Sequence, residues 1–179
     1  MVEPKKMQLP FDRAELAELR AGDALLLSGP IFTSRDAGHV RLLEALDKTG
    51  ELPFDLAGPA LFYAGPTPAS AGRPLGSVGP TTASRMDFAA PRLHHAGIVA
   101  TVGKGSRSEE VKQACIDTGS VYLAAVGGSA ALLAKCVVSA ETVAWEDLGT
   151  EALRKLELVD FPCFVALDTY GNDVYALTE

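Results

Sequence analysis

Short apolar runs alternate along this chain with segments in which apolar residues recur at helical spacing. The runs predict buried strands, because a strand that is covered on both faces shows no polar alternation. They are Ala24–Ser28, Ala60–Ala64, Ile98–Val102, Val121–Val126 and Phe161–Leu167. Strands that alternate with helices are typical of an α/β domain with a largely parallel central sheet. We therefore predict a single domain over residues 1–179.

Helix-capping residues and glycine or proline mark the ends of the predicted helices. The longest amphipathic segment begins at Asp36 and ends near Gly50, and its apolar positions share one helical face. Asp12 and Glu15 have the spacing of a capping box. Shorter helices are predicted from Asp12 to Arg20, from Ser84 to His95 with a break at Pro91, from Ser106 or Ser108 to Asp117, and over Ser129–Leu133 after Gly127-Gly128.

The C-terminal third contains several short apolar segments close together, which favours a second β layer. Residues 65–76, which are rich in Gly, Pro and Ser, are predicted to be a loop. The C-terminal predictions are strands at Cys136–Val138, Thr142–Trp145 and Val174–Leu177, a helix at Thr150–Leu156, and a turn at Asn172-Asp173.

Composition and charge exclude several classes of function. A net charge of −7 with dispersed cations argues against a nucleic-acid surface. The apolar runs are too short to span a bilayer. Met1–Leu9 has no apolar core, so we expect no secretory signal and a cytoplasmic location. Three widely spaced cysteines, Cys115, Cys136 and Cys163, predict small core residues and no metal site in this chain.

One layout occurs twice, fifty positions apart. Gly29-Pro30 leads to Arg35-Asp36, and Gly79-Pro80 leads to Arg85 at the same interval. We expect both Gly-Pro pairs in loops beyond strand ends, where open α/β sheets bind ligands. A cation at a helix N-terminus opposes the helix dipole, so structure alone does not require it. The pattern predicts a site for a molecule with more than one carboxylate, and the alternative is two unrelated surface arginines.

Other polar residues accompany these arginines. Thr81 and Thr82 would present hydroxyl and N–H groups to the same ligand, or serve only turn and cap chemistry. Lys104, between two glycines, would supply a point charge. His39 follows Asp36 by one helical turn. This pair could transfer a proton, or Asp36 could cap the helix beside a partly exposed histidine.

Several motifs together resemble a known family. They are Gly79-Pro-Thr-Thr-Ala-Ser-Arg-Met-Asp87, Thr33-Ser-Arg-Asp-Ala-Gly-His39, Gly103-Lys-Gly105, Asp160-Phe-Pro-Cys-Phe-Val-Ala-Leu-Asp168 and Gly171-Asn-Asp173. Over essentially the whole chain, they resemble the β subunit of the iron–sulfur hydro-lyases, namely class I fumarate hydratases and L-tartrate dehydratases. Gly38 stands where this family's motif is expected to have alanine.

The resemblance implies a swivelling, three-layer β/β/α domain that supplies half of an active site. A [4Fe–4S] cluster would lie on a separate α subunit, in a heterotetramer of two α and two β chains. Arg35, Arg85 and Lys104 would bind the substrate carboxylates, with Thr82 beside them. Thr81 would be the catalytic base and His39, with Asp36, an active-site pair.

The function implied is reversible hydration of fumarate to (S)-malate, with the cluster iron acting as a Lewis acid. Arg and Lys side chains would stabilise the charge that develops on the substrate carboxylate. Either Thr81 or His39 could take the proton. Two alternatives remain open, dehydration of L-tartrate to oxaloacetate by the same kind of subunit, and a non-catalytic anion-binding domain.

Overall fold

A computed structural model describes residues 3–69, 71–126 and 128–176 of the chain. The strands are β1 (Lys5–Gln8), β2 (Ala24–Thr33), β3 (Ala60–Phe62), β4 (Ala100–Gly103), β5 (Val121–Ala124), β6 (Val137–Ala144) and β7 (Leu153–Leu167). The helices are α1 (Arg13–Glu18), α2 (Asp36–Thr49), α3 (Ala90–His95), α4 (Glu109–Thr118) and α5 (Ala130–Leu133), with 3₁₀ turns at Ala83–Met86, Ala134–Cys136 and Glu146–Glu151. Within these described ranges, no helix is long and apolar enough to cross a membrane.

The strands form one mixed sheet that closes on itself. Its order is β1-β2-β3-β4-β5-β7-β6, and β2 also pairs with β7, so that β2, β3, β4, β5 and β7 form a barrel. Strands β1 to β5 run parallel, whereas β7 is antiparallel to β2, β5 and β6. The predicted single α/β domain with a mostly parallel sheet is confirmed. The sheet is a closed barrel, however, which is not the swivelling three-layer arrangement that the resemblance implied.

Two layers of apolar side chains pack on the two faces of the barrel wall. Phe62 on β3 and Phe161 on β7 meet edge to face at 5.3 Å between ring centroids although their strands are not neighbours, so this face is the barrel interior. The alternate residues, such as Phe32 and Tyr63, belong to a second cluster with Leu42 of α2. Helices α2 and α3 therefore cover the outside of the barrel, whereas Leu16 of α1 and Leu133 of α5 belong to the interior cluster.

The prediction that Gly29-Pro30 forms a loop is wrong. Strand β2 continues through both residues to Thr33, with a register shift against β7 between Leu27 and Gly29. Gly29 has a φ of 111°, and a Cβ there would lie 2.5 Å from the carbonyl oxygen of Leu9. Between the pairs Leu27–Phe161 and Gly29–Leu158, β2 advances by two residues and β7 by three, so the extra residue of the bulge lies in β7. Gly29 allows β2 to pass close to Leu9.

The helix predicted at Thr150–Leu156 is also wrong, because β7 begins at Leu153. Leu153 and Leu156 have helical spacing, but both are buried by pairing with β2 on one side and β6 on the other. The two short strands predicted around residue 140 are one strand, β6. The strand predicted at Val174–Leu177 does not form over residues 174–176. Leu177 and Gly127, the latter predicted to lead into a helix, lie outside the described residues.

The predicted helix ends are mostly confirmed. Asp12 and Glu15 form the capping box of α1, which ends two residues earlier than expected, at Glu18. Ser108 accepts a hydrogen bond from the Val111 N–H at the start of α4. Gly50 ends α2 in the left-handed conformation, as C-terminal glycines commonly do.

Candidate anion-binding site

The residues predicted to bind the ligand lie in the segments that follow the strands at one end of the barrel. Strands β2, β3 and β4 are parallel, so their carboxyl ends lie together, as predicted for a site at several strand ends. Arg35 and Asp36 follow β2, and Lys104 follows β4. Strand β7 is antiparallel and begins at this same end, where Arg154 pairs with Thr33.

The segment that carries the two threonines is held by backbone hydrogen bonds. The Thr81 N–H donates to the Tyr63 carbonyl at 2.7 Å, and the Lys104 N–H donates to the Thr81 carbonyl at 3.2 Å. The Ala83 N–H then donates to the Lys104 carbonyl at 2.8 Å. A Cβ on Gly103 would lie 3.0 Å from the side chains of Ala83 and Tyr63, so glycine permits this close approach. Thr81 is therefore fixed between the ends of β3 and β4.

Arg35 and Arg85 converge on one carboxylate. Arg85 donates from Nε to Asp36 Oδ1 at 3.0 Å and from Nη2 to Oδ2 at 2.6 Å, a bidentate pair. Arg35 donates from Nε to Asp36 Oδ2 at 3.1 Å. The repeated layout in the sequence thus brings two guanidinium groups, fifty positions apart in the chain, to one point.

Glu151 completes this cluster and was missed by the sequence analysis. Its Oε1 lies 3.3 Å from Arg35 Nε, and its Oε2 accepts the Ala37 N–H at 2.6 Å. The carboxylate therefore caps the N-terminus of α2 and offsets the unfavourable cation there. Nothing local in the sequence indicates this role, because Glu151 lies inside a segment, Thr150–Leu156, that was predicted to be helical.

The charges of this cluster nearly balance. Burial alone would raise the pKa of Asp36, but its backbone hydrogen bond and the guanidinium groups of Arg85 and Arg35 hold that pKa below its usual range. Asp36 is consequently a carboxylate near neutral pH, and a poor proton acceptor. The two guanidinium groups of Arg35 and Arg85 thus face the two carboxylates of Asp36 and Glu151, and Lys104 is exposed after β4 at the same end of the barrel.

His39 is fully buried, which rules out the alternative of a partly exposed ring beside a capping aspartate. Its Nδ1 lies 3.1 Å from the Arg35 carbonyl oxygen and 3.2 Å from Ser34 Oγ. A carbonyl can only accept, so we assign the proton to Nδ1, which leaves the lone pair on Nε2. Nε2 has no hydrogen-bond partner among the described residues, and the ring packs edge-on against Tyr63 at 5.0 Å. Burial lowers the pKa of His39 to about 4, so the ring is neutral near pH 7.

This burial predicts a specific pH dependence of stability. Between about pH 6.5 and pH 4 the unfolded chain protonates His39 while the folded chain resists it, so stability falls as the pH falls through this window. Each such histidine contributes a slope of about 1.4 kcal/mol per pH unit. Burial lowers the pKa of His94 to about 4 as well, so two residues share the effect.

The free energy of unfolding depends on pH partly through the two buried histidines. His39→Gln should therefore remove about half of this histidine-dependent slope. Urea titrations at pH 4.5, 5.5, 6.5 and 8 measure this slope, and the measurement at pH 8 serves as the reference because histidine is neutral in both states there. An unchanged slope in His39→Gln would show that the ring accepts protons in the folded protein.

Gly38 has a steric reason to differ from the alanine expected by resemblance. A Cβ at this position would lie 2.4 Å from Ser34 Oγ and 3.1 Å from the Glu151 carbonyl oxygen. Gly38→Ala should therefore displace the Ser34 hydroxyl from His39. We expect a loss of about 1–2 kcal/mol in the free energy of unfolding, although alanine favours helix. A Gly38→Ala/Ser34→Ala double variant should recover part of this loss; no recovery would show that the backbone is the obstacle.

Asp87, the last residue of the Gly79–Asp87 motif, is held by the side chain of Arg107 and the backbone of Ser108. Asp87 Oδ1 accepts from Arg107 Nε at 2.7 Å, and Oδ2 accepts the Ser108 N–H at 2.8 Å. The Arg107 side chain is 0% exposed. In the sequence, Arg107 is one of many dispersed cations, because the burial of an arginine leaves no local signal.

The cysteines lie apart from the site. Cys115 and Cys163 are buried, as predicted, whereas Cys136 is only half-buried. Burial raises the pKa of the Cys115 thiol to about 12, so it is not a reactive thiolate. Within the described ranges, no group of three His, Cys, Asp or Glu side chains is arranged to hold a metal ion. The side chains present thus do not fit an iron–sulfur cluster held by this chain.

Comparison with known proteins identifies relatives over nearly the whole chain. The family model for the fumarase C-terminus matches residues 3–178. Fumarate hydratase class I, anaerobic, of Escherichia coli is 42% identical over 164 residues, which are 90% of this chain and 30% of that protein. Fumarate hydratase 2 of Leishmania major is 38% identical over 176 residues, 96% of this chain and 31% of that protein.

A further relative has nearly the length of this chain. The L(+)-tartrate dehydratase subunit beta of Escherichia coli is 34% identical over 177 residues, covering 96% of this chain and 87% of that protein. The chain thus spans less than a third of the two fumarate hydratases, but most of the tartrate dehydratase subunit.

Proposed function

We propose that this chain, which belongs to the fumarase C-terminus family, is the β subunit of a two-subunit hydro-lyase that reversibly hydrates fumarate to (S)-malate. Its relatives are hydratases and dehydratases, which supports the hydro-lyase class. The observation that carries the proposal is the convergence of Arg35 and Arg85 on one carboxylate, inside the motifs that the resemblance associates with substrate binding.

The contacts of the Asp36 carboxylate support a site at which these arginines bind a substrate carboxylate. The observed pairs engage Nε and Nη2 of Arg85 and Nε of Arg35, and so orient the remaining N–H groups of both guanidinium groups. In this proposal the substrate carboxylates bind to these N–H groups, and Lys104, exposed at the same end of the barrel, supplies a further donor. Donors that are already oriented stabilise developing negative charge without having to reorganise.

We assign the proton transfer to Thr81 in preference to His39. Thr81 is half-buried at the site end of the barrel, and its main chain is bonded on both sides. His39 is enclosed behind Tyr63, and Asp36 is held by two arginines, so both act in this proposal as positioning groups. A threonine hydroxyl is a weak base, and a nearby cation such as Lys104 is the kind of neighbour that would lower its pKa.

The proposed [4Fe–4S] cluster belongs to the partner α subunit, because the described side chains of this chain do not fit one. The printed name of the tartrate dehydratase relative, a beta subunit, supports such a partner. A heterotetramer of two α and two β chains in the cytoplasm remains the expected assembly. In this assembly the chain contributes carboxylate binding, orientation and proton transfer.

Exposed apolar side chains around the site support a docking face for that partner. Phe88, directly after the motif, is 56% exposed, and Leu132 of α5 is 64% exposed. Helix α5 contacts the motif, since a Cβ on Gly79 would lie 2.9 Å from the Ala130 Cβ. Large apolar side chains exposed near a polar site commonly mark protein interfaces.

We expect the Phe88→Asp/Leu132→Asp double variant to bind the α subunit at least tenfold more weakly than the wild-type chain does. The variant chain itself should remain folded. Pull-down and sedimentation of the co-expressed pair measure this binding. Ile116→Asp is the matched control, because Ile116 is 39% exposed and lies against Gly171, beyond the end of β7 that is opposite to the site. Equal binding by both variants would place the partner on another face.

The function itself is tested by reconstituting the chain with a cluster-bearing α subunit under anaerobic conditions. Steady-state assays with fumarate, malate and L-tartrate should show turnover that requires both chains, with fumarate and malate preferred. Preference for tartrate would support the second candidate, which the 87% coverage of the tartrate dehydratase subunit favours. Dicarboxylate binding by this chain alone, without any partner or turnover, would support an anion-binding domain instead.

A further inference from the structure

A buried arginine, Arg107, contacts the segments that carry the candidate site. Arg107 Nη1 donates to Thr101 Oγ1 at 3.2 Å and Nη2 donates to the Tyr63 hydroxyl at 3.3 Å, in addition to the Asp87 pair. The guanidinium carbon lies 5.2 Å from the ring centroid of Tyr63 and 4.8 Å from that of Tyr122. The guanidinium therefore contacts residues from β4, β5, the end of β3 and the motif.

Each of three partners leads directly to a segment of the site. Asp87 ends the motif that carries Arg85. The carbonyl of Tyr63 accepts the Thr81 N–H at 2.7 Å. The hydroxyl of Tyr122 donates to the carbonyl of Gly105 at 2.9 Å, immediately after Lys104. Movement of the guanidinium would consequently shift all three segments relative to one another.

Stability alone does not explain such an arrangement. An arginine with no exposed side-chain surface carries a large desolvation penalty, and a buried ion pair is often no more stabilising than apolar side chains of similar volume. Planar donors with fixed directions are, however, well suited to setting the relative positions of several segments. We propose that Arg107 is a positioning residue that sets the distances between Thr81, Arg85 and Lys104. This inference rests on the function proposed above, in which these three side chains act on one substrate.

Tyr122→Phe is the gentlest test, because it removes the hydrogen bond to Gly105 and keeps the ring against Arg107. Tyr170→Phe is a matched control, since the Tyr170 hydroxyl donates to the Ala17 carbonyl at 3.0 Å and Arg20 lies 4.3 Å from its ring. In the reconstituted pair, Tyr122→Phe should lower kcat/KM for malate by roughly tenfold or more, mainly through KM. Tyr170→Phe should leave it unchanged. Equal kinetics in the two variants would overturn the inference.

Arg107→Lys tests the guanidinium itself, because lysine keeps the charge and loses the planar fork. We expect assembly with the partner to persist and kcat/KM to fall more than in Tyr122→Phe. Wild-type kinetics in Arg107→Lys would show that any buried cation is sufficient and would contradict a positioning role.

Hydrogen exchange separates failure of this inference from failure of the proposed function. The amides of Thr81 and Lys104, which bond to Tyr63 and Thr81, should exchange several-fold faster in Arg107→Lys, while the amide of Gly50 at the end of α2 should not. If the wild-type pair shows no turnover but the two amides exchange faster in Arg107→Lys, the proposed function is refuted and the positioning role is retained. Unchanged exchange at Thr81 and Lys104 would refute the positioning role.

Discussion

Arg85→Ala in the assembled pair is expected to lower kcat/KM for malate by about 10²–10³. Arg85 is half-exposed at the open end of the barrel, and it is oriented by both oxygens of Asp36. Loss of one oriented donor to a developing negative charge typically costs roughly 2.7–4 kcal/mol of transition-state stabilisation. Steady-state kinetics of the reconstituted enzyme measure the change, and assembly should be unaffected.

The chain offers a closely matched control in Arg92. Its side chain is 51% exposed, compared with 49% for Arg85, and it also pairs with an aspartate of α2, Asp47. Asp47 lies near the C-terminal end of α2, far along the helix from Asp36. Arg92→Ala should therefore leave kinetics unchanged. A similar loss in both variants would point to a general electrostatic effect, and no loss in Arg85→Ala would remove Arg85 from the site.

Thr81→Val should abolish exchange of the substrate C–H proton with solvent and lower kcat by about 10²–10⁴, the usual contribution of a positioned base. Valine nearly matches threonine in shape, and the position of residue 81 is set by its main-chain bonds to Tyr63 and Lys104. The variant should therefore fold and assemble normally. Isotope exchange from labelled water into malate, followed by mass spectrometry, measures the effect.

Thr82→Val supplies the comparison at the neighbouring, exposed position. As a residue proposed to bind substrate, Thr82 should affect KM and leave C–H exchange in place. Retained exchange in Thr81→Val would transfer the role of base to another group. Lost exchange in both variants would indicate that the whole segment had moved.

The repeated arginine layout predicted the meeting of Arg35 and Arg85, but for a partly mistaken reason. Parallel strands place their carboxyl ends together, and β3 and β4 end close to their predicted positions. Strand β2, however, continues past its predicted end at Ser28 through Gly29-Pro30 to Thr33. A Gly-Pro pair after an apolar run is compatible with both a loop and a continuing strand, and only pairing with β7 decides between them.

The contacts that hold the arginines could not be predicted from the sequence. Glu151 reaches Arg35 only because β7 begins at the site end of the barrel, and the sequence favoured a helix there. Arg107 is likewise defined by its burial between Tyr63 and Tyr122. Both residues depend on long-range strand pairing, which leaves no trace in local periodicity.

The most direct test of the central claim is a crystal structure of the assembled pair with a non-reacting dicarboxylate such as succinate. This account predicts one carboxylate of the ligand within hydrogen-bond distance of Arg35 or Arg85, with Lys104 on the same ligand and Thr81 facing the carbon atom that would lose its proton. A dicarboxylate held entirely by the partner subunit, with these four side chains turned to solvent, would contradict it.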